Sequence, residues 1–277
     1  MPSAASHNID DYETLLVTLQ NVLGVVVPDE QRSNLVERIE PLLSAYKLES
    51  LASLAEGMAG GHADERHSAI LSSVLDAISQ RQSSWHLSSE VKKLLHNYVF
   101  AQLPEKAKIL LVGCGQGQLA YLLAMEALGY EHSSGDVKQF QIVATDISSE
   151  SIAQAKSATY SELQLAGLGD TYRKLYTSFD NKENNGQIKD KVRQMVSFSQ
   201  CDLKENFQPL GAMDLIICPE DLVYYSNGVK AGILQQFSEL LKSGGIFVTG
   251  SNQAVVAFSD DLERVEHPAG LFYRKKK

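Results

Sequence analysis

Apolar positions recur every three or four residues through the first hundred residues of the chain. Tyr12, Leu15, Leu16, Leu19, Val22 and Leu23 form one stripe. Leu35, Ile39, Leu42 and Leu43 form a second, opened by Pro28-Asp29-Glu30. This spacing lays apolar side chains along one face of a helix, so both stretches are predicted helical. The same period continues at Leu51–Met58, Ile70–Ile78 and Val91–Phe100, with Gly60-Gly61 as a break. From about residue 101 the pattern changes. Short apolar runs bounded by turn residues appear at Lys108–Val112, Gln141–Thr145, Val196–Gln200, Met213–Cys218 and Gly245–Gly250. Helical patterns at Leu119–Leu128, Ser149–Ala158 and Gly228–Leu241 lie between them. Strands apolar on both faces, alternating with helices, predict a parallel sheet covered on both sides. Leu262–Glu266 and Leu271–Arg274 flank His267-Pro268-Ala269-Gly270 and predict a closing hairpin. The expected organisation is a helical domain over 1–100 and an α/β domain over 101–277. Tyr160 to Val196 is too long for a plain connection, so an inserted subdomain is expected over about 160–196. It divides into a helical piece (Ser161–Tyr176), a turn (Asp180–Gly186) and a strand (Gln187–Val192).

One motif carries chemistry. In Ile109-Leu110-Leu111-Val112-Gly113-Cys114-Gly115-Gln116-Gly117-Gln118-Leu119 a strand runs into a glycine-rich turn and then a helix. Glycine permits the sharp turn and lets a ligand approach the backbone. The helix N-terminus behind it offers unpaired N–H groups. Asp146 ends the next predicted strand, about where an acid meets ribose hydroxyls in nucleotide-binding βαβ units. Cys201-Asp202-Leu203 follows the third strand. A dinucleotide site favours GxGxxG, with its last glycine where this chain has Gln118; the spacing here is GxGxG. A second acid after the third strand and a C-terminal hairpin resemble the methyltransferase version of the fold. S-adenosylmethionine has no pyrophosphate and is therefore the preferred ligand over NAD.

Composition narrows the function classes. The chain has 277 residues, 44% hydrophobic and 21% charged, as an ordinary globular protein has. Its formal net charge is -9, which disfavours nucleic acid as a partner. The three cysteines, Cys114, Cys201 and Cys218, are far apart and form no CxxC pair. Neither a disulfide framework nor a cysteine zinc site is expected, and His62 and His67 lack a second ligand pair, so no metal is expected. No run approaches 18 apolar residues and the N-terminal stretch has no signal-peptide pattern, so a cytoplasmic protein without membrane insertion is expected.

The sequence resembles the CheR-type chemotaxis methyltransferases, which methylate glutamate side chains of chemoreceptors, over nearly its whole length. Gly24-Val25-Val26-Val27 and Gln31–Ile39 resemble that family's helical N-terminal domain. Ala144-Thr145-Asp146-Ile147 and Ala153–Tyr160 resemble its second strand and helix. Tyr172, Phe179, Val192-Arg193 and Val196-Ser197-Phe198 fit its inserted β-subdomain, which in some members docks a receptor tail peptide. Leu215–Cys218, Val223-Tyr224-Tyr225 and Gly270–Lys275 match its later strands. The resemblance implies an α/β, Rossmann-like S-adenosylmethionine-dependent methyltransferase sheet, with an all-α N-terminal domain and a small inserted β-subdomain. It implies a protein substrate, chemoreceptor-like or other. It places cofactor contacts on Gly113, Gly115, Gly117, Gln118, Asp146, Asp202 and Leu203, and Tyr224 near the methyl-transfer centre.

Several positions depart from the family together. Its Asn, Thr and Arg on the segment before the sheet are replaced here within Ser79–His86, where Gln80, Gln82 and His86 stand. Its cofactor-contacting glutamate becomes the neutral Gln118, and an Arg-Asn pair after the fourth strand becomes Pro219-Glu220. An acceptor carboxylate is already ionised and needs an orienting positive or hydrogen-bonding partner; His86 is positive only when protonated. Glu220 adds a like charge, worth about 4 kcal/mol of repulsion at 4 Å and an effective dielectric of 20. His86, Glu220 and Tyr224 are therefore the catalytic candidates. Three readings follow: a divergent protein-glutamate methyltransferase; a methyltransferase with a different nucleophile, with Glu220 or Asp221 as general base; and a binding or regulatory module whose pocket has decayed. Charge bears on the partner as well. Residues 1–100 hold seven Lys/Arg against thirteen Asp/Glu, and residues 101–277 hold eighteen against twenty-one. An acidic first domain repels an acidic receptor helix within a Debye length of roughly 8 Å.

Overall fold

The structure is a computed structural model that describes residues 9–27, 32, 34–60, 65–79, 84–180, 184–204, 206–218, 222, 225–249 and 259–277. The chain divides into two compact units, residues 1–82 with 221–230, and residues 83–220 with 231–277.

The first unit is helical. Its helices are α1 (Ile9–Thr18), extended by a π-helical turn over Leu19–Leu23, α2 (Leu35–Tyr46), α3 (Leu51–Ala59) and α4 (Glu65–Ser79). Leu15, Leu19, Ile39, Leu51, Leu54 and Val74 are wholly buried, so the apolar stripes are the core, as the periodicity predicts. Ser50 and Ser53 form a reciprocal capping box at the start of α3. Arg38 donates to the carbonyl of Ile78 (2.9 Å), tying the end of α4 to α2.

The second unit opens with α5 (Ser89–Leu94), which continues through a π-helical turn (Leu95–Val99) into a last helical turn (Phe100–Gln102). This helix belongs with the sheet: Phe100 is buried against Tyr130 and Phe140. The boundary expected near residue 100 therefore falls at 82–83. A stripe of helical period looks the same whether it packs on helices or on a sheet.

Next come β1 (Lys106–Val112), α6 (Gln118–Ser134), β2 (Gln139–Asp146) and α7 (Ser149–Ser157). The insert follows, with β3 (Thr159–Ser161), α8 (Glu162–Leu165), α9 (Asp170–Tyr176), β4 (Thr177–Asp180), β5 (Asn185–Ile188) and α10 (Asp190–Arg193). The sheet then resumes with β6 (Val196–Gln200), β7 (Met213–Cys218), α11 (Asn227–Leu240), β8 (Leu241–Thr249), β9 (Leu262–His267) and β10 (Gly270–Lys275).

Seven strands form one sheet in the order β6-β2-β1-β7-β8-β10-β9. The first five are parallel, and β10 is antiparallel to both its neighbours. This is the expected α/β, Rossmann-like architecture with its closing hairpin. β1 and β7 are buried along nearly their whole length, which explains why they read as unbroken apolar runs. The chain winds outward from β1 through β2 to β6, then returns to β7 on the other side of β1. Open α/β sheets bind ligands at such a switch point, beyond the strand C-termini.

The insert is a separate antiparallel sheet, β3-β5-β4. Its interior differs from the sequence expectation. The helical piece over Ser161–Tyr176 is two short helices. The strand expected at Gln187–Val192 begins at Asn185 and ends at Ile188, giving way to α10. β4 carries no apolar alternation, because Ser178, Phe179 and Asp180 are all exposed. Its edge pairing with β5, not its side chains, makes it a strand.

Candidate functional site

The glycine turn leaves β1 at Val112 and enters α6 at Gln118. Gly113, Gly115 and Gly117 have φ of 70°, 51° and 92°, left-handed conformations that L side chains avoid. Gly117 is doubly constrained, since a Cβ there would lie 2.8 Å from the Ala155 Cβ and 3.1 Å from the Tyr160 hydroxyl. The glycines predicted from sequence are thus required by the turn itself. Between them the Cys114 amide donates to the Thr145 carbonyl (2.9 Å), which carries the β1–β2 pairing into the turn.

Asp146, at the end of β2, is 4% exposed. One of its carboxylate oxygens accepts the Gly115 amide (2.8 Å) and the other the Ser148 amide (3.0 Å). The acid thus fixes the glycine turn from across the strand gap. The Asp146 carbonyl accepts the Cys201 amide (2.9 Å), which brings the end of β6 alongside. There Asp202 accepts the Lys204 amide (3.0 Å) and lies 3.7 Å from the Lys204 ammonium, while Leu203 is buried. Gly113, Gly115, Gly117, Gln118, Asp146, Asp202 and Leu203 are therefore gathered at the C-terminal ends of three adjacent strands, β1, β2 and β6.

Gln118 opens α6 and is 2% exposed. Its Oε1 is buried without a hydrogen-bond partner among the described residues. An unmet buried acceptor costs about 1–3 kcal/mol, which a bound donor would recover. It sits in the first turn of a helix whose free amides face the glycine turn. S-adenosylmethionine fits these groups. Its ribose carries hydroxyl donors for Asp146, its amino group can donate to Gln118, and its positive charge suits a site with two acids.

The catalytic candidates fare differently. His86 is exposed and makes no hydrogen bond among the described residues. Tyr224 and Glu220 lie outside the described residues, as do Gln80, Gln82 and Asp221. Tyr225 is 5% exposed and pairs with Val25 through an isolated bridge, so this tyrosine of the pair packs. Trp85 is also a packing residue, 8% exposed, with its indole N–H on the Gln164 carbonyl (2.8 Å). Among the described residues no group of three or more His, Cys, Asp or Glu is placed to hold a metal ion.

Sequence reasoning missed one cluster of charge. Glu126, in the middle of α6, is 3% exposed. His96 Nε2 lies 2.8 Å from one of its oxygens and Lys92 Nζ 2.9 Å from the other. Tyr172, on α9 of the insert, stands close to the same carboxyl group. Burial alone would raise the Glu126 pKa, but the His96 hydrogen bond, the Lys92 ammonium and the neighbouring Tyr172 phenol outweigh it and hold the group below its ordinary value. The sequence does contain a signal for it: one acid inside the apolar helical run Leu119–Leu128.

The family described as "CheR methyltransferase, SAM binding domain" matches residues 80–271. A chemotaxis protein methyltransferase of Vibrio anguillarum is 28% identical, over 96% of this chain and 97% of its own length. Those named chemotaxis protein methyltransferase 1 in Vibrio cholerae and Pseudomonas aeruginosa are each 27% identical over 96% of this chain, and over 97% and 98% of their own lengths. Among solved structures, the N-methyltransferase NodS of Bradyrhizobium japonicum, in complex with S-adenosyl-l-homocysteine, is similar at 14% identity. Its TM-score is 0.44, over 74% of this chain and 98% of that one.

Proposed function

Because the chain belongs to the CheR methyltransferase family, whose cofactor is S-adenosylmethionine, we propose that it transfers a methyl group to a carboxylate side chain of a protein, nominally a receptor glutamate. The observation that carries the cofactor half is the orphaned Gln118 Oε1 beside a glycine turn clamped by Asp146. In this reading Asp146 holds the ribose hydroxyls and Gln118 the cofactor's amino group. Leu203 gives the adenine an apolar neighbour, and Asp202 accepts from its edge.

The cofactor supplies a methyl carbon activated by a sulfonium. The protein's task is then to hold a nucleophile in line, about 3 Å away, and to exclude water. A glutamate carboxylate is ionised at neutral pH and needs no general base. In this reading His86 and Tyr224 are the groups that orient it. We propose a cytoplasmic protein, a reading supported by the absence of any disulfide among Cys114, Cys201 and Cys218. No helix among the described residues is long and apolar enough to cross a membrane.

Two measurements test the reading in sequence. Calorimetric titration with S-adenosylmethionine is expected to show one saturable site; no binding at millimolar ligand would end the cofactor assignment. Methyl-labelled cofactor is then offered with the cytoplasmic fragment of a chemoreceptor from the same organism. Incorporated label that alkali releases as volatile methanol marks a carboxyl ester. Label that survives alkali overturns the carboxylate acceptor in favour of an amine.

A further inference from the structure

The insert, like Asp146, holds the glycine turn. The Tyr160 hydroxyl, from β3, donates to the Gln116 carbonyl (2.7 Å). The Gln164 side-chain amide, from α8, donates to Gln116 Oε1 (3.1 Å). Gln116 is the residue between Gly115 and Gly117, so both its backbone and its side chain are tied to the insert at the centre of the turn. Asp146 grips the adjoining residue, Gly115, from β2.

These bonds are themselves braced. Gln164 accepts the Ser161 amide on its own Oε1 (3.0 Å), completing the capping box of α8, so its amide end is aimed rather than free. Its carbonyl takes the indole N–H of Trp85. Tyr160 is 1% exposed and sits edge-on to Trp85, with ring centroids 5.1 Å apart. Burial, with Tyr121 and Cys114 nearby, pushes its phenol upward, so it remains a donor throughout the physiological range. The glycines on either side of Gln116 lack side chains to restrain the backbone. Beside the turn's own bond from the Gly117 amide to the Cys114 carbonyl (3.0 Å), external bonds set how Gln116 is held.

We propose that Tyr160 and Gln164 are positioning residues for the cofactor: acting through Gln116, they preset the glycine turn, so that cofactor binding and the folding of the insert are coupled. This rests on the cofactor reading above. Coupling of this kind is reciprocal, so the cofactor must also steady the insert around residues 159–165.

Tyr160→Phe removes the hydroxyl and keeps the ring that packs on Trp85. Its dissociation constant for S-adenosylmethionine, measured by calorimetry, is expected to rise about five- to tenfold, the size of one hydrogen bond. The KM for the cofactor should rise with it while kcat holds. Gln164→Met should act in the same direction. In the wild-type protein, cofactor should slow amide hydrogen exchange over 159–165 as well as over 113–118, and Tyr160→Phe should abolish the former. That readout does not depend on the variant's stability, because the wild type alone must show it. An affinity within about twofold of wild type in Tyr160→Phe overturns the proposal. So does the absence of cofactor-dependent protection over 159–165 in the wild type. If the wild type binds no cofactor at all, the cofactor reading fails first and takes this one with it. If it binds but the variants match it, only the coupling fails.

Discussion

Asp146 and Glu126 are both buried acids of the sheet unit, 4% and 3% exposed, yet they are held in opposite ways. Asp146 accepts backbone amides from its own strand end and from the glycine turn. Glu126 is held by side chains alone: Lys92 and His96 from the helix before the sheet, and Tyr172 from the insert. The first arrangement sets the shape of one turn. The second pins three elements together from within the helix that follows that turn. A backbone-held acid should report on ligand binding, and a side-chain-held acid on stability.

The largest effect is expected at Asp146. Asp146→Ala removes the acceptor of the Gly115 and Ser148 amides and, in the proposed cofactor reading, the ribose partner. With charge-assisted bonds worth about 1.5–3 kcal/mol each, affinity for S-adenosylmethionine should fall about 100-fold or more by calorimetry. A near-native affinity would break the distinction between the two acids at its stronger end. Glu126→Gln comes next and should act the other way. It should cost about 1–3 kcal/mol of stability in urea denaturation, toward the lower end because Lys92 and His96 are each about a third exposed and can rehydrate. Its cofactor affinity should stay within about twofold of wild type.

The pH dependence sharpens the same point. The Glu126 carboxyl lies below its ordinary value of 4.5 in the folded protein. Its charge therefore stabilises fully above the unfolded value, and that contribution is lost as pH falls through the folded one. The stability gap between wild type and Glu126→Gln should be full above the ordinary carboxyl value of 4.5 and should close as pH falls through the lowered folded-state value. A gap independent of pH would mean that shape, not charge, sets the cost. The smallest effect is expected inside the turn. Cys114 is 3% exposed and acts as a small filler, so Cys114→Ala should shift stability by about 1 kcal/mol or less and leave cofactor affinity unchanged.

The sequence made legible whatever is governed by local pattern. The inner parallel strands β1, β2, β7 and β8 are visible as apolar runs, because burial on both faces leaves little alternation to misread, whereas the edge strand β6, with no buried residue, shows only the Val196-Ser197-Phe198 alternation. The glycine turn is visible because only glycine tolerates its φ angles. Asp146 could be placed because it ends a strand, although its grip on Gly115 was hidden. What escaped depends on contacts between distant positions. Lys92, His96, Glu126 and Tyr172 span 80 residues, and no periodicity links them. β4 becomes a strand through pairing with β5 despite exposed side chains. The π-helical turn over Leu95–Val99 is invisible to a 3.6-residue period. The 89–102 helix reads as a continuation of the first domain because periodicity does not say what a helix packs against.

The order of the last three strands bears on synthesis. β9 is made before β10, but it meets the sheet only through β10, which slots between β8 and β9 with Phe272 and Tyr273 fully buried. Until Gly270–Lys275 has left the ribosome, β9 has no place on the sheet and β8 presents an unpaired edge. A nascent or truncated chain ending before Gly270 would thus carry a bare apolar strand edge open to other chains. Pairing of β10 covers the β8 edge and seats β9, which removes that exposed edge.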